Sequence, residues 1–204
     1  NAFRRDNRLG ELKPNVALPA AARAFAHYLA KTGKFAHEAD GREPHQRAME
    51  YGYSYCLVAE NLALNLDSRG FESRKLALDV VKGWKGSPGH RRNLLQAGAT
   101  EIGVAVARAP DRHPKYVSVQ LFGRPDSLKV TFTIENRSGA SVRYRLGADT
   151  QDLAPRTTAT HGHCGTEPLS FETPAPARFD ARDGDRFLLT GPSAGAVKVD
   201  VERK

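Results

Sequence analysis

Residues 81–95 read VKGWKGSPGHRRNLL, and the way this stretch divides decides the architecture around it. Upstream, Leu76, Ala77, Val80, Val81 and Trp84 recur at helical spacing behind Glu72 and Ser73, so the only tryptophan closes the apolar face of an amphipathic helix. Ser-Pro-Gly then restarts the chain. Ser87 suits an N-cap, Pro88 the first helical position, and His90 falls at the third, where Glu or Gln would complete a capping box. The positive end of a helix dipole disfavours imidazolium, so His90 is expected neutral near pH 7, free to ligate a metal or accept a proton. A turn that simply tolerates histidine is the alternative.

Working outward, Leu18, Ala21, Ala22, Phe25, Ala26 and Leu29 mark another amphipathic helix, with Pro19 in its first turn and Gly33 at its stop. His27 falls on its polar face. A shorter helix is expected from Pro44 to Gly52, with His45 exposed in its first turn. Residues 100–109 and 116–123 read as two strands joined by a polar turn that carries His113. From about residue 125 the pattern changes to strand after strand. Leu128, Val130, Phe132 and Ile134 alternate into Asn136-Arg137-Ser138-Gly139, and Val142, Tyr144 and Leu146 alternate away from it, which reads as a β-hairpin. Phe171, Phe179, residues 187–190 and residues 197–201 extend the pattern, so the fold class is α+β: a mixed domain over 1–124 and a small β-sandwich over 125–204. Asn136-Arg137-Ser138 also fits a glycosylation acceptor.

Forty per cent of the 204 residues are hydrophobic, enough for a packed core and against a disordered polymer. No apolar run approaches the ~20 residues of a membrane span, and no signal segment opens the chain; it starts at Asn1, which leaves a removed export signal as one candidate. Net charge is +8, favouring anionic partners, yet the basic residues are scattered and not interleaved with aromatics, which argues against specific nucleic-acid binding. Cys56 and Cys164 are either two separate buried thiols or a disulfide closing a loop of about a hundred residues, worth about 4–5 kcal/mol in the chain-entropy model.

Two further stretches carry chemistry. In LVAENLALNL, residues 57–66, Val58, Leu62, Leu64 and Leu66 share one face of a strand and Glu60 stands among them, so a carboxylate enters an apolar layer and needs a cation, a metal or backbone donors. In FAHEADG, residues 35–41, His37 lies in the loop beyond the long helix. The chain resembles the CAP superfamily of cysteine-rich secretory, antigen 5 and pathogenesis-related domains, above all its bacterial branch. The resemblance covers roughly residues 1–123. It rests on the joint order of Asn1-Ala2-Phe3-Arg4, the helix of residues 20–35 with His37 after it, residues 40–53, Ala59-Glu60-Asn61-Leu62-Ala63, residues 81–95, 100–107 and 116–123.

That resemblance implies an α-β-α sandwich whose cleft holds His37, His90 and Glu60. Many eukaryotic relatives carry another glutamate shortly after the tryptophan; here Lys85, Gly86 and Ser87 stand there, and Ser87 is the nearest replacement. Two imidazoles and a carboxylate suit a weakly held divalent ion, zinc first, with His37, Glu60 and His90 as ligands. The helical H-E-x-x-H arrangement of metallohydrolases is absent. A hydrolase using Ser87 as nucleophile, His90 or His37 as base and Glu60 as orienting acid is the competing enzyme reading, without the Gly-x-Ser-x-Gly elbow. His161-Gly162-His163-Cys164 offers a second, three-ligand zinc candidate. The resemblance also implies export, to the periplasm or the cell exterior, hence a Cys56–Cys164 disulfide and an envelope polymer, lipid or protein as partner.

Overall fold

Every residue except Thr166 and Lys204 is described in the computed structural model of the chain, which divides into two units, Asn1–Ser127 and Leu128–Lys204. In the first, the elements run α1 (Ala2–Asp6), β1 (Lys13–Pro14), α2 (Ala17–Thr32), α3 (Pro44–Glu50), β2 (Tyr55–Leu66), α4 (Ser73–Gly86), α5 (Pro88–Leu94), β3 (Glu101–Arg108) and β4 (Lys115–Pro125). The strands form one sheet in the order β1-β3-β4-β2, antiparallel except for the two-residue contact of β1 with β3. Leu18, Phe25 and Leu29 of α2 pack with Ala48 of α3 against Val117, Val119 and Leu121 on one face. Leu76, Val80 and Trp84 of α4 pack with Leu94 of α5 against Phe122 on the other. The result is an α-β-α sandwich, and each fully buried Leu or Phe contributes about 1.5–3 kcal/mol to it.

The helix boundaries follow local chemistry. Gly33 ends α2 in the left-handed conformation, φ 70°, returning its N–H to the Leu29 carbonyl. Glu72 caps α4 by accepting from the N–H groups of Arg74 and Lys75. Only Leu76, Val80 and Trp84 of the α4 stripe are buried; Ala77 and Val81 remain exposed. β2 sits at the sheet edge, and α4 and α5 reach over to it: Trp84 Nε1–H donates to the Leu62 carbonyl at 2.9 Å and Asn93 Nδ2 to the Glu60 carbonyl at 3.0 Å. The apolar layer expected through Leu66 stops at Leu62, since Leu64 and Leu66 are exposed.

The second unit is all-β. β5 (Val130–Asn136), β8 (Thr157–His163), β11 (Arg186–Thr190) and β12 (Lys198–Glu202) form one sheet in the order β12-β11-β5-β8. β6 (Val142–Leu146), β7 (Asp149–Leu153), β9 (Pro168–Phe171) and β10 (Ala177–Asp180) form the other, ordered β10-β9-β6-β7. Phe132, Ile134, Tyr144, Phe171 and Phe187 fill the core between them. The expected hairpin of β5 with β6 does not form: the two strands belong to different sheets, and their alternating apolar residues meet across the core. Asn136 makes that crossover. It is fully buried, donates to the carbonyls of Ala140 and Leu153, and accepts from Ser138, so its amide is committed and is no glycosylation acceptor.

Both cysteines are disulfide-bonded, which excludes the pair of separate thiols. It also removes Cys164 as a thiolate ligand from the candidate zinc set of residues 161–164, where His161 and His163 both pack on Phe132. Replacing Trp84 by Phe keeps a buried aromatic ring but leaves the Leu62 carbonyl unpaired; a loss of about 1–3 kcal/mol in urea unfolding is expected.

Candidate functional site

The site is built on one buried guanidinium. Arg47 projects from α3, a helix started by Pro44 and by a capping box between Glu43 and Gln46. Its Nη2 donates to Glu60 Oε2 at 2.9 Å and to the His37 carbonyl at 2.9 Å; its Nη1 donates to Asp40 Oδ1 at 2.8 Å and to the Arg42 carbonyl at 2.6 Å. Its guanidinium carbon lies 3.5 Å from the centroid of the Phe25 ring. The Arg47 and Glu60 side chains are 4% and 1% exposed. The cation that the buried Glu60 requires is therefore Arg47, an arginine on a short helix that carries no mark in the sequence to distinguish it from surface arginines.

Glu60's other oxygen, Oε1, meets His37 Nδ1 at 2.8 Å. Since a carboxylate accepts, Nδ1 carries the proton and Nε2 holds the free lone pair of the neutral ring. The Glu60 hydrogen bond raises the His37 pKa, against an opposing effect of burial. His90 sits at the third residue of α5, half-buried, as the Ser-Pro-Gly break indicated. Its pKa is lowered, chiefly by burial and then by the charge of His37. A buried amide chain holds the backbone beneath it: Asn61 Nδ2 donates to the His90 carbonyl at 3.3 Å and to Gln120 Oε1 at 3.2 Å, while Asn93 Nδ2 donates to Asn61 Oδ1 at 2.9 Å. Asn61 and Asn93, like Arg47, escaped the sequence reading.

Ser87 occupies the N-cap position of α5, yet its side chain makes no cap hydrogen bond, and it lines a cleft with His90, Trp84, Gly83, Leu64 and Phe35. Among the described residues no hydrogen bond joins Ser87 to His37 or His90, and Glu60 orients His37 rather than His90. Both Glu60 oxygens face protein donors, and among the described residues no three His, Cys, Asp or Glu side chains form a metal-holding group. Glu60 is bonded to His37, and His90 lines the cleft with Ser87 and Trp84.

Residues 1–122 match the family described as CAP, the Cysteine-rich secretory protein family. The chain belongs to that family. This CAP chain is similar to the uncharacterized protein YkwD of Bacillus subtilis (strain 168), at 31% identity over 105 residues, 51% of this chain and 38% of that protein. It therefore spans well under half the length of that relative. Among solved structures it is similar to an outer surface protein from Borrelia burgdorferi, with a TM-score of 0.52 and 27% identity over 61% of this chain and 86% of that one. An extracellular protein containing a SCP domain from Bacillus anthracis str. Ames gives a TM-score of 0.49 at 22% identity, over 61% of this chain and 37% of that one.

The Arg47–Glu60–His37 geometry makes two predictions. Arg47→Met strands a buried carboxylate and should cost about 3–5 kcal/mol in chemical denaturation, while the double change with Glu60→Leu should recover most of that loss. In ring-resolved NMR titration, His37 should titrate above and His90 below the ordinary histidine value, and Glu60→Gln should lower the His37 midpoint. The linked stabilities have opposite signs: His37 stabilises the fold at pH below its unfolded value and loses this as pH rises through the raised folded value. His90 contributes fully above its unfolded value and loses this as pH falls through the depressed folded one.

Proposed function

We propose that this CAP domain is an exported binding module whose cleft holds a divalent transition metal, zinc first, on His37 and His90, and which engages an envelope polymer, lipid or protein ligand. The observation that carries the reading is the His37 Nδ1 to Glu60 Oε1 bond at 2.8 Å. A carboxylate behind one ring nitrogen fixes the tautomer and raises the basicity of the other, the arrangement that metal-ligating histidines use. His90, its pKa depressed by burial, stays available as a neutral donor at the pH where a metal would compete. Two imidazoles leave the remaining coordination positions to water, so the site is weak and exchangeable. Glu60 acts behind the ligand, not as one. Oxidised cysteines fit a compartment outside the cytoplasm, as does the likeness to a protein described as an outer surface protein. No turnover step is assigned to the cleft.

Zinc titration by calorimetry on metal-stripped protein tests this. One saturable site is expected in the wild type, absent in His37→Ala and in His90→Ala, and weakened about 10–100-fold in Glu60→Gln. Affinity should fall as pH drops through the raised His37 value, because the proton and the metal compete for Nε2. A wild type that takes up no zinc sinks the metal reading.

A further inference from the structure

In the second unit the strand register sets two unpaired cations in one row. Arg145 of β6 and Arg178 of β10 each lie directly opposite Ser170 of β9, and on its other side Arg145 lies opposite Thr150 of β7. Tyr144, Leu169, Phe171 and Phe179, the strand neighbours of these residues, pack into the core. The row Thr150-Arg145-Ser170-Arg178 therefore stands on the outer face of its sheet. The described strands of this unit carry four arginines. Arg143 is paired with Asp152 at 3.0 Å, and Arg186 with Glu202 at 3.3 Å and with Glu135. Arg145 and Arg178 are exposed, and among the described residues neither has a carboxylate partner. Arg145 Nε donates to Thr150 Oγ1 at 3.3 Å, which holds the guanidinium along the row. Ser170 is half-buried between the two arginines, and its hydroxyl bonds no other described residue.

Arg145, Ser170 and Arg178 line one depression of about 560 Å³, in which Glu172 is the single carboxylate. Glu172 also acts on the next row, where Asp152 first and Glu172 after it raise the pKa of Arg143. The lining thus holds two cations against one acid, which favours singly charged acid groups over dianions. Arginines on alternate strands stand about 10 Å apart at their Cα atoms, and the four-strand row spans roughly 14 Å. That is longer than one small anion. The row alternates hydroxyl and guanidinium, so it matches an extended chain that alternates hydroxyls with carboxylates, each gripped by the two-pronged guanidinium. Phe171, the one aromatic residue of the lining, is buried in the core at 2% exposure, so a nucleic acid finds no ring there on which to stack its bases.

We propose that this row binds a carboxylated polysaccharide, with Arg145 and Arg178 on its acid groups and Ser170 on a sugar hydroxyl between them. The proposal rests on the binding-module reading, whose envelope polymer it names, but not on the metal.

The test uses the full chain and a fluorescently labelled galacturonic acid oligomer, read by polarisation at low ionic strength with and without zinc. Saturable binding is expected, weakened about tenfold or more in Arg145→Gln and in Arg178→Gln, and lost in the double variant. Ser170→Ala should weaken it about fivefold. These side chains lie outside the core, so urea unfolding should be unchanged in each variant. Lys198→Gln, the same loss of charge on the exposed face of the other sheet, should bind as the wild type does. Polyglutamate, which lacks hydroxyls, and single-stranded DNA, both of charge equal to the oligomer, should bind at least about tenfold more weakly. No binding at millimolar oligomer overturns the proposal, as does equal binding of polyglutamate or DNA, or a double variant that binds like the wild type. Zinc uptake without oligomer binding removes this inference alone; oligomer binding without zinc uptake removes the metal and leaves the arginine row standing.

Discussion

The Arg47–Glu60 ion pair is the constraint on which the rest of the first unit depends. A carboxylate and a guanidinium taken almost fully out of water cost several kcal/mol each, and their attraction offsets this only if every remaining donor and acceptor is met. Arg47 meets most of the requirement by bonding the His37 carbonyl, the Arg42 carbonyl and Asp40, and by lying over Phe25. One side chain on α3 therefore fixes the loop that follows α2, the face of α2 and the centre of β2 at once. Position, not net stability, is what such a pair supplies: the loop carrying His37 has no regular structure of its own to hold it.

The same pair sets the chemistry of the cleft. With Oε2 held by Arg47, Glu60 has one oxygen left, and it points at His37 Nδ1. His90 is held independently, through Asn61, Asn93 and the start of α5. The two imidazoles thus arrive from opposite layers of the sandwich, one raised and one lowered in pKa. The surroundings push the two rings apart in proton affinity.

The helices and the β3–β4 hairpin were legible because each announces itself locally: a periodic stripe, a first-turn proline, a glycine stop, two alternating runs about a polar turn. His37, Glu60 and His90 were legible only as a set, through the order of motifs along the chain. Arg47, Asn61 and Asn93 were not, because a buried arginine or asparagine has the same letter as an exposed one and only topology gives it partners. The β5–β6 error has a similar cause. Alternation reports that one face of a strand is buried, but a strand on either side of a sandwich buries one face, so the pattern cannot say whether two neighbours pair or oppose. What decided the matter was Asn136, whose buried amide redirects the chain between sheets.

Lys85, Gly86 and Ser87 follow Trp84, so no carboxylate stands between that ring and His90 in the sequence. Both Glu60 oxygens are already committed, one to Arg47 and one to His37. The proposed two-histidine metal site would be weak and, by itself, would select little. Selectivity then has to come from surface beside the imidazoles. Trp84 and Asn93 cap two carbonyls of β2, and Leu64 of the same strand lines the cleft beside His90.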